Sequence, residues 1–147
     1  MGTLLRSTAL ALLVLGLASQ ASAGDKIWSV SGVVNNGLAT VFSCTNATTA
    51  PVTVKVDVFL PNGTLDVTGS VNNVASNATV DLATKNVLSM VGGIELDMVA
   101  STMHSGSARI IVPSGVFCTA YVVDPVNNPP TSMKTLPVIK KTNQKGD

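Results

Sequence analysis

Val52 to Leu60 alternates apolar and polar side chains without a break. Val52, Val54, Val56, Val58 and Leu60 fall on one side, and Thr53, Lys55 and Asp57 fall on the other. A period of two is that of a strand with one dry and one wet face. A helix would scatter these valines around its circumference, and their branching at Cβ disfavours it further. The same pattern recurs along the chain. Ile27 to Val34 predicts a strand with Trp28, Val30 and Val34 in phase with Gly32, and Ser29 and Ser31 opposite. Leu38 to Cys44 follows with Leu38, Phe42 and Cys44 in phase. Ala78 to Thr84 is built on Val80 and Leu82. Ile94, Leu96 and Met98 alternate with Glu95 and Asp97. Ala108 to Val112 keeps Arg109 on its wet side, and Gly115 to Asp124 is rich in β-formers.

Turn chemistry separates these runs. Asn35-Asn36-Gly37, Pro61-Asn62-Gly63 and Pro113-Ser114-Gly115 combine residues that accept positive φ or fix a turn. Thr64 to Ser76 is weakly patterned and reads as short edge pieces and loop. Val87 to Gly93 reads as a helical turn or a bend at Gly92-Gly93, and Ser101 to Gly106 as a polar crossing. Asp124 to Thr131 is broken by prolines and reads as a long loop. Leu136 to Ile139 adds a last edge strand.

The first residues follow a different logic. Arg6, the apolar run Thr8 to Ala18 and the small-x-small triplet Ala21-Ser22-Ala23 make a secretory signal peptide, 1–23. The apolar run is shorter than the roughly 20 residues of a membrane span. Residues 24–139 then form one domain, and 140–147 a flexible basic tail carrying Lys140, Lys141 and Lys145. Loss of Arg6 with the leader balances the charges, which gives no electrostatic attraction to nucleic acid. At 46% apolar and 12% charged residues, the chain has the composition of a packed domain rather than a disordered one.

Export changes the meaning of Cys44 and Cys118, the only cysteines. In an oxidising compartment they read as one disulfide. Closing so long a loop is worth on the order of 4 kcal/mol in the chain-entropy model. We expect their two strands to face each other across the core of an all-β antiparallel sandwich of about seven to nine strands, with a closed barrel as the rival. One cysteine early and one late resembles the inter-sheet bridge of immunoglobulin-like β-sandwiches. The runs 42–46, 106–110 and 117–120 also resemble small exported bacterial β domains of unassigned role. Both resemblances are architectural and carry no site residues.

Chemical machinery is sparse. His104 is the single histidine, with Ser101, Ser105 and Ser107 near it, but no Gly-x-Ser-x-Gly elbow accompanies them. Glu95 and Asp97 would share one strand face, too few oxygens for calcium. Met90, Met98, Met103 and His104 are a soft-ligand set of the kind that selects copper, although Met98 in phase with Ile94 and Leu96 also suits a core. Asn46, Asn62 and Asn77 each open a glycosylation sequon.

The chain therefore reads as an exported, secreted or periplasmic, non-enzymatic structural or binding module. It needs no cofactor, and its partner is a protein or surface met through a wet sheet face or loops. Homo-oligomers fit the same reading. Two alternatives stand beside it. One is a fibre subunit assembled by strand addition, with Trp28 to Val34 as donor, which resembles chaperone-assembled pilins in size, export and single bridge. The other is a copper-binding protein using Met98, Met103 and His104.

Overall fold

The computed structural model describes residues 25–87, 94–127 and 129–141. The expected leader, Met90 and the end of the tail lie outside them. Ten strands follow one another: β1 (Lys26–Asn35), β2 (Ala39–Asn46), β3 (Val52–Phe59), β4 (Leu65–Val74), β5 (Thr79–Ala83), β6 (Ile94–Asp97), β7 (Met103–Val112), β8 (Val116–Val123), β9 (Met133–Leu136) and β10 (Val138–Lys140). No helix occurs among the described residues, and so none there is long and apolar enough to cross a membrane.

The pairings fall into two runs, β4-β3-β7-β1-β10 and β6-β5-β2-β8-β9. They meet at the β1–β2 hairpin, where Asn35 faces Ala39 across a turn holding Gly37 at φ 95°. They meet again at Pro137, which carries the chain from β9 into β10. The result is one sheet folded over its main core, close to a barrel. It is mixed rather than wholly antiparallel, because β6 runs parallel to β5, with Val80 opposite Ile94. A parallel neighbour needs a crossover instead of a hairpin, and the chain between Ala83 and Ile94 supplies its length.

The core draws on both runs. Val30, Val33, Phe42, Val56, Leu82 and Ile110 are among its fully enclosed side chains. Val54, Val56 and Val58 are buried as their alternation requires. The phase of β1, however, changes midway. Gly32 takes φ 78°, the ladder with β7 shifts between Ser31 and Val33, and Val33 rather than Val34 enters the core. An inserted bulge residue moves all later side chains to the other face. The freed backbone of Val34 is stitched by two buried threonines. Its N–H donates to Thr40 Oγ1 at 2.8 Å, and its carbonyl accepts from Thr40 and Thr84 hydroxyls at 3.1 and 3.0 Å.

Other expectations change as well. Leu38 sits exposed in the turn, and β2 is buried on both faces, since Ala39, Val41, Ala83, Val87 and Val123 make a second small cluster. Thr64 to Ser76 holds a continuous ten-residue edge strand, β4. The polar crossing at 101–106 is largely the start of β7, because Met103 fills the core and pulls the backbone into the ladder opposite Asn35. The last strand extends past 139, with Lys140 opposite Trp28 and the Lys141 N–H donating to Ile27 O at 2.9 Å.

Candidate functional site

The disulfide forms between Cys44 and Cys118. It does not span the core as expected. Cys44 on β2 lies directly opposite Cys118 on the adjacent strand β8, with Cα atoms 4.2 Å apart. This is the spacing of a narrow antiparallel pair, about 4.5 Å. The bridge therefore cross-links neighbours within one sheet run. A formed disulfide belongs to the chemistry of oxidising compartments.

The copper set does not converge. Met98 and Met103 are core side chains, packed against Gly69 and Gly106 respectively. His104 follows Met103 on the same strand and so points the opposite way, to solvent. Its Nδ1 lies 2.7 Å from the Asn36 side-chain amide, and among the described residues no carboxylate pairs with it. No grouping of three metal-binding His, Cys, Asp or Glu side chains occurs among the described residues. Ser101 is held by Asp66, which accepts its N–H at 2.8 Å and its hydroxyl at 2.5 Å. The intended fibre donor, Trp28 to Val34, is part of β1 and is paired with β7 on one side and β10 on the other. Of the three sequons, Asn46 is fully buried, while Asn62 and Asn77 are exposed in turns.

A shallow groove of about 410 Å³ lies on the outer face of β10, β1, β7 and β3. Reading across those strands, Ile139, Ser29, Arg109 and Asp57 form one row of cross-strand neighbours. Ser31, Ser107 and Phe59 form the next row. Alternation places all seven side chains on the same face.

Arg109 does not turn to Asp57 beside it. Asp57 is already engaged, accepting from the Thr68 hydroxyl at 2.7 Å and lying 3.3 Å from Lys55 Nζ. The Arg109 guanidinium lies instead over the Phe59 ring, 4.3 Å from its centroid. Such a stack is worth about 0.5–1 kcal/mol at an exposed site and fixes the plane of the cation. The guanidinium has no carboxylate partner among the described residues. Its fork of N–H donors suits a carboxylate held edge-on. Ser29, Ser31 and Ser107 hydroxyls flank it, and Ile139, 63% exposed, supplies an apolar wall.

The sequence marked Arg109 as wet but gave no reason to single it out. The missed signal was Phe59. It stands in the polar phase of the cleanest alternating run, so a large aromatic had to face outward there.

At a second place burial tunes an ionisable group. Tyr121, on the outer side of β8, has its phenol pushed up to about 12, first by burial and then by the charge of Asp81. Asp124 opens the loop after β8, and its carboxyl is held below the usual range, first by the Val126 N–H and then by the Asn127 and Thr131 side chains. The long loop is thus clasped at its base. Comparison of the chain with protein-family models, with curated proteins and with solved structures finds no match, so the groove is interpreted from its own geometry.

Proposed function

We propose that this chain is an exported, non-enzymatic binding module that holds a carboxylate-bearing partner in the groove around Arg109. The observation that carries this reading is the guanidinium stacked on Phe59 and left without an ion partner among the described residues. A surface arginine ordinarily samples many rotamers. One pre-set on a ring loses less freedom when it meets an anion. The serine hydroxyls add neutral donors and acceptors, and Ile139 adds apolar contact.

Export is supported by the leader-like 1–23 stretch and by the disulfide. The mixed, nearly barrel-shaped sheet supports a compact all-β module, tied by a bridge between neighbouring strands. The non-enzymatic reading is supported by His104, whose ring nitrogen meets an amide and not a carboxylate. The copper reading finds Met98 and Met103 in the core and His104 turned away to solvent, and the donor-strand reading finds its residues in a paired strand.

The test is binding of a glutamate-rich peptide to immobilised protein, followed at rising salt. Salt-sensitive binding lost in Arg109→Ala, and retained in Lys134→Ala on the other sheet run, is expected. Equal binding by wild type and Arg109→Ala would refute the site.

A further inference from the structure

We propose that β4 is the interface of a two-fold homodimer, formed by antiparallel pairing of the strand with the β4 of a second copy. This goes beyond the groove, which lies on the sheet face rather than at its edge.

The ends of the two runs are unequal. β6, β9 and β10 have four, four and three residues, while β4 has ten. Short edges offer little to pair with, whereas a long edge is a template for another strand. Among the described residues β4 has a strand partner on one side only, β3. Natural long edges are blunted by lysine, proline, inward charge or bulges. The stretch Leu65 to Asn72 has no lysine, arginine, glutamate or proline. Its one charge, Asp66, is occupied by Ser101. The two irregularities of the strand, between Leu65 and Val67 and near Asn73 at φ 59°, flank its central stretch Val67 to Val71 and leave that stretch in register.

What selects a second copy as the occupant is the order of side chains. Val67-Thr68-Gly69-Ser70-Val71 reads alike in type from either end. A two-fold axis through Gly69 sets Val67 opposite Val71 of the other copy, Thr68 opposite Ser70, and Gly69 opposite itself. The valines are half-buried against the core and Gly69 is buried, so these apolar positions meet on the inner face. Thr68 and Ser70 are exposed and meet on the outer face, hydroxyl to hydroxyl. Valine pairs and Thr–Ser pairs are both favourable across strands. An isologous contact requires this kind of self-complementarity.

Two double variants test the register by sedimentation of the purified protein over a range of concentrations. Thr68→Lys/Ser70→Lys places like charges opposite each other twice across the axis. It should weaken the dimer about ten-fold or more. Thr68→Lys/Ser70→Glu places opposite charges there and should dimerise like the wild type. Both variants share the loss of the Thr68 hydroxyl bond to Asp57, so any effect on folding is common to them, and matching melting curves check it. A wild-type protein that stays monomeric, a Lys/Lys dimer as tight as the wild type, or equal weakening of both variants would each overturn the proposal.

Discussion

Cys44 and Cys118 are cross-strand partners, 74 residues apart in sequence and 4.2 Å apart between Cα atoms. The ladder on either side of them is unbroken, from Ala39 opposite Val123 to Asn46 opposite Val116. The bond therefore pins the register of a pairing that joins the second strand to the eighth. Such a non-local pairing is slow to form because its loop must close before its contacts are made. Cys44 is fully enclosed, so the tie also belongs to the packed core.

Replacing both cysteines by alanine should lower stability by about 2–4 kcal/mol, most of it through a freer unfolded chain. Urea unfolding of the double variant against wild type measures this. Hydrogen exchange should show the loss across all of β2 and β8, because the register is shared. A change below about 0.5 kcal/mol would mean that the ladder alone carries the pairing.

Asn46 ends β2 and knots three segments. Its side-chain amide donates to Ala50 O and Val74 O, both at 2.9 Å, and its Oδ1 accepts the Thr48 N–H and hydroxyl at 2.9 and 2.7 Å. Asn46→Ala leaves these groups unsatisfied and should cost about 2–3 kcal/mol. Asn46→Asp should cost more above the carboxylate pKa, since a charge would then face two carbonyl oxygens. Denaturation at neutral and mildly acid pH checks both. In a glycosylating host, Asn62 and Asn77 are the sequons expected to carry sugar, and Asn46 is expected bare in folded protein.

The strands were legible where side chains alternate cleanly, as in β3 and in the Arg109 half of β7. They were illegible where another force set the phase. Gly32 changed the face of β1 by a bulge, which no alternation can announce. Met103 entered the core from a stretch whose other residues are polar. β4 looked irregular because an edge strand packs little of its length. The cysteines gave the bond but not its geometry, since a pair across sheets and a pair across neighbouring strands have the same sequence. The groove depended on Phe59 and Arg109 lying on neighbouring strands, and strand order is not written in a period of two.

Two glycines should respond differently to the same methyl group. At Gly69 an added Cβ would come within 2.6 Å of Met98 Sδ, the far end of a flexible side chain. Gly69→Ala should cost about 1 kcal/mol as Met98 shifts. At Gly106 the same atom would meet the backbone carbonyl oxygen of Phe59, also at 2.6 Å. That oxygen cannot move without disturbing the β3–β7 ladder, so Gly106→Ala should cost about 3 kcal/mol. It should also disturb the Phe59 stack with Arg109. Paired melting curves decide the order, and equal costs would contradict the packing described at β7.

Tyr121 sets a pH limit whose sign follows from its shift. Its ordinary value is 10.0, and in the fold it stands at about 12, chiefly through burial and then through the charge of Asp81. The folded state therefore keeps a proton that the unfolded state gives up. Stability from this source is complete below pH 10 and is lost as pH rises through the window to 12. Tyr121→Phe should flatten that part of the profile relative to wild type, whereas the lysines titrate alike in both. Asp81→Asn should move the phenol only partway back, because burial is the larger cause. Tyr121 is the chain's single tyrosine, so ultraviolet titration of the phenolate reports on it alone. A phenol ionising at its ordinary value in the folded protein would show that β8 leaves its outer side open to water.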